Sequence, residues 1–383
     1  MRRFNIPRFS FLLFPFLLAQ LVHTNLAHAA KTRFDLAQLK APPGFHIAVF
    51  ADNIDGARML VFTPGGVLLV SESGEGKVVA LPDPKHTGKA ERTVTVLDGL
   101  SEPHGLAFFE GKLYVAENDK VRRYDWDEAH LRVSNPKQLA DLPDGGGHST
   151  RTLVFHGGKM YISAGSSCNV CLEKDPRRAA VMEFNPDGSG QKIFAKGLRN
   201  AVGLAVNPKT DTVWATVNGR DWLGDDLPPE TIYDLGKDGG DAGWPYCYGD
   251  RVPDPNFTKP RDNRCQNVIA PKVQMQAHSA PLGLAFYEGS QFPAEYRNNI
   301  FVAFHGSWNR SVPTGYKVVR VKHDDKGQPQ GAAEDFITGW LAPDETKKGR
   351  WMGRPVGIVI GGDGTMYVSD DSVGVIYRIT YAK

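Results

Sequence analysis

The sequence predicts an all-β fold, a six-bladed β-propeller whose ring is closed by an N-terminal strand. Three observations predict it: a strand–turn–strand pattern that occurs six times, a blade-sized spacing between the copies, and a composition rich in turn formers. The 383 residues include 41 glycines and 26 prolines, which favour many turns over long helices.

Each copy of the pattern is an apolar strand, a turn of Gly, Asp, Asn or Pro, and a second strand that alternates apolar and small residues. The six copies are MLVFTPGGVLLVSES from Met59, GLAFFEGKLYVAEN from Gly105, TLVFHGGKMYISAG from Thr152, GLAVNPKTDTVWATVN from Gly203, GLAFYEGSQFPAEYRNNIFVAFHG from Gly283 and GIVIGGDGTMYVSDD from Gly357. Most continue into a third strand, such as KVRRYDW, AAVMEFN, YKVVRVK or GVIYRIT.

The spacing of the copies indicates that each copy belongs to one blade. Successive copies lie 46, 47, 51, 80 and 74 residues apart when aligned on Leu60, Leu106, Leu153, Leu204, Leu284 and Ile358. About 40–50 residues is the size of a four-stranded blade, so the two long intervals predict insertions near 221–271 and 324–350. The strand FHIAVFA (Phe45–Ala51) precedes the first copy and is expected to complete the last blade. We therefore expect residues 30–383 to form a single domain.

Residues 1–29 have the pattern of a signal peptide. Arg2, Arg3 and Arg8 precede the apolar run Phe11–Ala19, and the small residues at Ala27–Ala29 fit a cleavage site. The run is shorter than the roughly 20 residues that span a bilayer, and no later stretch approaches that length. The sequence therefore predicts a periplasmic or secreted protein without an integral membrane segment, with a retained N-terminal anchor as the alternative.

The net charge bears on the class of partner, and the cysteines bear on the redox state of the compartment. Loss of three signal-peptide arginines leaves 42 basic residues against 43 acidic ones, which argues against a nucleic-acid partner. In an exported chain the four cysteines favour disulfides. The simplest pairs are Cys168–Cys171 and Cys247–Cys265, although four cysteines allow three connectivities. A redox-active CNVC motif, or half of a metal site, is the alternative for the first pair.

The residues just before each inner strand are expected to meet near the axis of the ring. They form a polar set: Glu102, His104, His148, Arg151, Arg199, Asn200, His278 and Arg354. Gathered arginines favour an anionic ligand, because guanidinium groups match carboxylates and phosphates. A histidine beside them can act as general base, since nearby positive charge lowers its pKa and keeps it neutral.

His148 is the first candidate for this base. It follows three glycines in DGGGHSTRTLVF, and glycines let a backbone approach a ligand closely. A plain turn would explain the same glycines. Because the other polar residues recur at one register across the blades, we favour a site.

Several motifs resemble the glucose/sorbosone dehydrogenase family, six-bladed propellers that bind pyrroloquinoline quinone. They are GSSCNVCLEKDPRRAA, GLRNAVGLAVNP, GWPYCYG, FHGSWNRSVPTGYKVVR and GRPVGI, and they are closest to the L-sorbosone dehydrogenase-like branch. The resemblance covers essentially the whole mature chain. It implies an oxidoreductase that acts on a sugar-like alcohol or hydrated aldehyde and needs an external electron acceptor.

The resemblance also implies roles for individual residues. His148 takes the position of the base, Arg199 and Asn200 that of a pair contacting the quinone, and Arg354 that of an arginine holding a cofactor carboxylate. His104 or Glu102 falls near a family glutamine, and Arg310 is the candidate for a missing lysine. The loop HGSWNRS, with His305, Trp308 and Arg310, is expected to contribute to the site, with Trp308 against the cofactor. One departure is Val356, which stands where a second arginine is found in the glucose dehydrogenases.

Calcium is the second ligand that the resemblance implies. Gly219 and Arg220 in VNGRDWLGDDLPPE occupy the place of a Gly-Pro pair whose backbone carbonyls bind Ca²⁺. Carbonyl ligation does not depend on the side chain, and Asp221, Asp225 and Asp226 offer further oxygen ligands. The alternative is a solvated acidic turn.

Two other functions fit a six-bladed ring. A calcium-dependent lactonase would need an axial metal held by carboxylates, but Glu102 is the only acid among the polar set. A propeller without catalysis, binding carbohydrate or protein, would fit the missing second arginine.

Overall fold

A computed structural model describes residues 35–259, 263–341 and 351–382 of the chain. Six antiparallel sheets of four main strands follow one another around a ring, which confirms the six-bladed propeller. The proposed signal peptide lies outside the described residues. Within the part that the structure describes, no helix is long and apolar enough to cross a membrane.

The first three blades follow the predicted repeats. The chain starts with the 3₁₀-helix η1 (Leu36–Gln38) and strand β1 (Phe45–Ala51). Blade one contains β2 (Ala57–Phe62), β3 (Leu68–Glu72), η2 (Ser73–Glu75), β4 (Lys77–Leu81) and β5 (Val94–Leu97). Blade two contains β6 (Gly105–Phe109), β7 (Lys112–Ala116), β8 (Lys120–Asp127) and β9 (Arg132–Asp141). Blade three contains β10 (Leu153–His156), β11 (Lys159–Ala164), β12 (Ala180–Phe184) and β13 (Lys192–Lys196).

The last three blades carry the additional segments. Blade four contains β14 (Asn200–Asn207), β15 (Thr212–Asn218), β16 (Glu230–Asp234) and β20 (Val273–Met275). The segment between β16 and β20 contains β17 (Gly240–Asp241), β18 (Cys247–Tyr248), β19 (Val252–Pro253) and η3 (Arg264–Asn267). Blade five contains β21 (Pro281–Phe286), η4 (Ala294–Tyr296), β22 (Ile300–Phe304), β23 (Lys317–His323) and β24 (Pro329–Ile337). Blade six contains β25 (Pro355–Ile360), β26 (Met366–Asp370) and β27 (Val375–Tyr381).

The N-terminal strand closes the ring as the sequence predicts. β1 pairs antiparallel with β27, with Phe45 opposite Tyr381. The Phe45 ring packs edge-to-face against Phe292 and Phe336 at centroid distances of 4.8 and 4.9 Å. Around the axis the inner strands β2, β6, β10, β14, β21 and β25 each contact the next, and β25 contacts β2.

The two expected insertions are shorter than their predicted bounds. The first, 221–271, contains β16, which is the third strand of blade four. The second, 324–350, contains β24, the outer strand of blade five, while residues 342–350 lie outside the described residues. Both strands were hidden in the sequence because their flanks are rich in Gly, Pro and charge.

The glycine that precedes the aligned Leu or Ile in four inner strands has a packing cause. Gly105, Gly203, Gly283 and Gly357 lie where one inner strand touches the next, and a Cβ on Gly283 would come within 2.6 Å of the carbonyl oxygen of Val356. Hydroxyl groups on the second strands form hydrogen bonds across the same contacts. Thr216 Oγ1 accepts from the amide of Gly203 (2.9 Å) and donates to the carbonyl of Leu282 (2.6 Å).

A side chain at this contact is expected to destabilise the ring. Gly203→Ala would place a methyl group against the Leu282 carbonyl oxygen and Thr216 Oγ1. We expect the free energy of unfolding to fall by about 1–3 kcal/mol, the usual cost of overpacking, as measured by denaturant titration. The matched control is Gly362→Ala, since nothing lies within 4 Å of a Cβ there. Equal stability of the two variants would contradict this account.

Candidate active site

A cavity of about 450 Å³ is lined by the loops that precede the inner strands and by the loops that follow the second strands. Antiparallel pairing brings these two sets of loops to the same rim, because the start of an inner strand lies opposite the end of the second strand, as Pro355 lies opposite Asp370. The polar lining is Arg58, His148, Asn169, Arg199, Asn200, Asn218, Asp221, Glu230, His278, His305, Asn309 and Arg354.

Most of the predicted site residues meet in this cavity. His148, Arg199, Asn200, Gly219, Asp221, Trp308 and Arg354 all line it. Trp308 lies at the rim, 65% exposed, with its ring edge-to-face against Trp222 at a centroid distance of 5.4 Å. The geometric premise of a shared site, with distant imidazole and guanidinium groups around one space, agrees with the structure.

Seven of the predicted residues do not line the cavity: Glu102, His104, Arg151, Arg220, Asp225, Asp226 and Arg310. His104 is buried beside it. The buried Arg220 side chain turns away to pair with Asp254 at 2.8 Å. Arg310 lies 3.4 Å from Asp226 and donates to the backbone carbonyls of Asp225 and Ala277.

His148 is held in the tautomer that a base requires. Its Nδ1 lies 2.8 Å from the carbonyl oxygen of Ser166, and since a carbonyl only accepts, Nδ1 carries the proton. Nε2 therefore keeps its lone pair, and no described residue hydrogen-bonds to it. Burial, and next the charge of Arg199, lower the pKa of His148 to about 4, so the ring is neutral at pH 7.

The protonation of His148 can be measured directly. We expect its ring to titrate near pH 4 in the ligand-free protein, protonated below and neutral above, by NMR of the imidazole C–H signals. Arg199→Gln should raise this pKa toward the ordinary value of about 6.5, because it removes the second cause of the shift. Titration of the wild-type ring at 6.5 would contradict the burial that the structure shows.

Arg199 is fixed by protein acceptors. Its guanidinium donates to the backbone and side-chain oxygens of Asn169 (both 2.9 Å), to the carbonyl of Asn218 (3.2 Å) and to Asp221 Oδ2 (3.2 Å). Asp221 Oδ1 in turn accepts from Asn309 at 2.6 Å. The side chain is buried, so a positive charge stands in the cavity wall in a fixed orientation.

Arg354 is also positively charged, but its hydrogen-bond partners are backbone carbonyls and not a carboxylate. It donates to the carbonyls of His305 (3.1 Å) and Gly306 (3.0 Å) and lies 5.5 Å from the centre of the Trp351 ring. Among the described residues, no carboxylate lies within ion-pair distance of it. Its positive charge is therefore free to meet an anion that enters the cavity.

Asn200 contributes a polar atom whose hydrogen-bonding capacity is not satisfied. Its Oδ1 is buried and has no hydrogen-bond partner in the part of the chain that the structure describes. Buried polar atoms are nearly always paired, so an acceptor left open in a cavity wall points to a ligand that donates a hydrogen bond.

Three residues at or beside the cavity were not predicted from the sequence: Arg58, Asp371 and Glu230. Asp371 pairs with Arg58 at 2.7 Å and with His305 Nε2 at 2.9 Å. Burial alone would raise the pKa of Asp371, but the hydrogen bond to His305 and the charge of Arg58 hold it well below its ordinary value. Glu230 accepts from the amides of Gly219 (2.7 Å) and Ala280 (3.2 Å), and burial raises its pKa to about 7.

The four cysteines form the two predicted disulfides, Cys168–Cys171 and Cys247–Cys265. The first bounds the loop that carries Asn169, the partner of Arg199. Cys168, Cys171 and Glu173 form the one cluster of possible metal ligands found among the described residues. Because both sulfurs are bonded to each other, that cluster offers no thiolate to a metal.

The family follows from comparison of the whole chain with known proteins. Residues 39–232 and 244–382 match the family described as TrAA12-like. The chain belongs to the TrAA12-like family. Its first blade and its closing strands both lie inside the match, so the assignment covers the ring and the cavity together.

The relatives of this TrAA12-like chain include two that cover most of it. An uncharacterized protein of Borreliella burgdorferi is 30% identical, over 90% of this chain and 91% of the other. A pyrroloquinoline quinone-dependent pyranose dehydrogenase of Coprinopsis cinerea is 27% identical over 89% of this chain, which spans 54% of the length of that enzyme.

Solved structures show the same fold. The iodide and calcium structures of Trichoderma reesei carbohydrate-active enzyme family AA12 superpose with TM-scores of 0.80 and 0.79, at 24% identity. The iodide structure covers 90% of this chain and 98% of its own. These structures show the fold alone, whereas the family match and the quinone-dependent relative confirm the resemblance to quinone-dependent sugar dehydrogenases and the assignment of the chain to the oxidoreductases.

Proposed function

We propose that this protein is an exported pyrroloquinoline quinone-dependent dehydrogenase that oxidises a sugar-like alcohol or hydrated aldehyde and passes the electrons to an external acceptor. The observation that carries the proposal is the juxtaposition, in one cavity, of neutral His148 with Arg354, which has no carboxylate partner among the described residues. The quinone-dependent relative supports the choice of cofactor.

The cavity wall fits an anionic group that also donates a hydrogen bond. Arg354 would hold a carboxylate of the cofactor, Asn200 Oδ1 would accept a hydrogen bond from it, and Arg199 would stand against its quinone end. Trp308 would cover it from the rim. When bound, pyrroloquinoline quinone supplies the two-electron acceptor, chemistry that side chains lack.

Calcium is the second proposed cofactor. The backbone carbonyls of Gly219 and Arg220 would hold the ion, with Asp221 as a carboxylate ligand, since Ca²⁺ prefers hard oxygen ligands. Two features support this: Gly219 and Asp221 line the cavity, and the Arg220 side chain is engaged elsewhere by Asp254.

His148 would take the proton of the substrate hydroxyl at Nε2. The carbonyl of Ser166 orients the ring through Nδ1, and the low pKa keeps the lone pair available. Arg199 presents fixed positive charge where negative charge develops on oxygen, without reorganisation at the moment of reaction. In this scheme His148 and Arg199 are the catalytic residues.

The disulfides support an oxidising compartment. Disulfides persist in oxidising environments, and both cysteine pairs of this chain are bonded. With the predicted signal peptide, we place the protein in the periplasm or outside the cell.

Reconstitution tests the proposal. Purified protein is titrated with pyrroloquinoline quinone in the presence of Ca²⁺ or a chelator, and dye reduction is followed with aldoses, sorbosone and simple alcohols. We expect quinone binding and sugar-dependent dye reduction, both weakened by the chelator. Lactone hydrolysis without quinone would instead indicate a lactonase, and carbohydrate binding without turnover a non-catalytic propeller. Either result would overturn the proposal.

A further inference from the structure

Residues Ser166–Glu173 form a loop that contacts both proposed catalytic residues. The loop follows β11 in blade three and precedes β12. The bond between Cys168 and Cys171 joins its middle, so we call it the disulfide loop. Cys168 and Asn169 line the cavity, which places the loop in the wall of the candidate active site.

Asn169 holds the guanidinium of Arg199 at two points. Its backbone carbonyl accepts from Nε and its side-chain Oδ1 accepts from Nη2, both at 2.9 Å. Two contacts to one planar group fix the direction of its plane as well as its distance. Arg199 is buried, and a buried charge is costly unless its hydrogen bonds are made. These contacts therefore govern where the charge lies.

The same amide joins Arg199 to the loop of blade four that carries the proposed calcium ligands. Asn169 Oδ1 also accepts from the backbone N–H of Asp221 at 2.8 Å, and its Nδ2 donates to the carbonyl of Asp221 at 3.3 Å. The carboxylate of Asp221 in turn lies 3.2 Å from Arg199. Loss of the Asn169 side chain would loosen the cation and this loop together.

The beginning of the disulfide loop orients the base. The carbonyl of Ser166 accepts from His148 Nδ1 at 2.8 Å, and the amide of Ser166 donates to the carbonyl of Arg199 at 2.7 Å. The hydroxyl of Ser166 donates to the carbonyl of Cys168 at 2.7 Å. The contacts that orient the base and those that orient the cation therefore lie three residues apart on one segment of chain.

The disulfide loop is closed by contacts within itself. The carboxylate of Glu173 accepts from the amide (2.6 Å) and the hydroxyl (2.8 Å) of Ser167. A cross-link lowers the number of conformations open to the chain that it encloses. Because only Asn169 and Val170 lie between the two cysteines, the disulfide restricts the residue that holds Arg199.

We propose that Asn169 is a positioning residue for the reaction and that the Cys168–Cys171 disulfide keeps it in place. Asn169 sets the orientation of Arg199 relative to His148, so that the fixed charge and the base face the reacting groups together. The inference rests on the proposed function and deepens it, because it makes turnover depend on the first disulfide and so on an oxidising compartment.

Asn169→Ala tests the role of the side chain, since it removes the Oδ1 acceptor of Arg199 and keeps the backbone carbonyl. We expect kcat at saturating quinone and sugar to fall about tenfold, the lower end for a lost hydrogen bond to a charged group. In the ligand-free protein the pKa of His148 should rise from about 4 toward its ordinary value, because a guanidinium that is no longer fixed lowers this pKa less. NMR of the imidazole C–H signals measures this pKa.

Asn256→Ala is the matched control. Asn256 Oδ1 also accepts from a guanidinium, that of Arg220, at 2.9 Å, but Asn256 does not line the cavity. Asp254 continues to hold Arg220 in this variant. We expect wild-type kcat and the wild-type His148 pKa from Asn256→Ala.

Removal of each disulfide tests the second part of the inference. We expect Cys168→Ser combined with Cys171→Ser to reproduce both effects of Asn169→Ala. Cys247→Ser combined with Cys265→Ser should lower the melting temperature and leave the pKa of His148 unchanged. Serine variants replace a reductant here, because a thiol would also reduce the quinone.

Wild-type kcat and His148 pKa in Asn169→Ala would overturn the inference. Equal losses in Asn256→Ala would do the same, since they would indicate general loosening. A lower melting temperature with an unchanged His148 pKa would make Asn169 a purely structural residue and also overturn it. A protein that binds no quinone, but whose His148 pKa rises in Asn169→Ala, would refute the proposed function and leave the positioning role of Asn169 intact.

Discussion

His148→Ala is expected to reduce kcat by about 10²–10⁴-fold, the range that general base catalysis supplies. The variant removes the one imidazole of the cavity whose Nδ1 is fixed by a backbone carbonyl and whose Nε2 is open. The quinone dissociation constant should stay within a few-fold of the wild type, because Arg354 and Asn200 remain. Dye-coupled turnover at saturating sugar measures the first quantity and calorimetric titration the second.

His156→Ala is the matched control for this variant. His148 lies in the loop before strand β10, whereas His156 is the last residue of that strand, 3.7 Å from Asp211 and outside the cavity. We expect wild-type kcat from His156→Ala. Free imidazole in the assay should restore part of the turnover of His148→Ala by filling the space of the lost ring. Full activity without His148 would remove it as the base.

The ring could be predicted from the sequence because its repeats are encoded locally. Each inner strand has an apolar residue at one register, from Leu60 to Ile358, and four copies have glycine just before it. The structure supplies the reason, since the next inner strand leaves no room for a Cβ at Gly105 or Gly283. A pattern with such a direct packing cause is visible in one sequence.

The register also predicts which residues reach the rim, but not where their side chains point. His148, Arg199 and Arg354 enter the cavity as predicted. Arg151 comes from the same kind of position, yet it is fully buried and donates to the carbonyls of His148 (3.0 Å) and Thr150 (2.8 Å). Those acceptors are backbone groups of a glycine-rich loop, and their direction is set by a conformation that residue types do not reveal.

Two of the three missed residues, Arg58 and Asp371, follow from signals that the sequence did contain. Arg58 lies two residues before Leu60, as His104 and Arg151 lie two before Leu106 and Leu153. Asp371 follows the second strand of its blade, and antiparallel pairing returns that end to the rim. Applying the register to blade one, and to the ends of second strands, would have found both. Glu230 carried no such signal, because β16 was hidden within a predicted insertion.

Arg354→Gln is expected to weaken quinone binding about 10–150-fold, the equivalent of about 1.5–3 kcal/mol for a charge-assisted hydrogen bond. No described carboxylate pairs with Arg354, so its charge is available to the cofactor rather than to the fold. Arg354→Lys should fall between the variant and the wild type, because it keeps the charge and loses the paired N–H donors. Calorimetric titration with the quinone measures all three dissociation constants, and the melting temperature checks that the loop of His305 is intact.

Arg310→Gln tests whether the cofactor binds through the total positive charge near the rim or through the specific position of Arg354. Sequence resemblance places both arginines on the cofactor, whereas the structure turns Arg310 to Asp225 and Asp226 and leaves Arg354 open to the cavity. If geometry governs, Arg310→Gln binds the quinone as the wild type does while Arg354→Gln does not. Equal losses from both would mean that the total positive charge near the rim attracts the cofactor. In that case the carboxylate would have no defined anchor, and Arg354 would lose its assigned role.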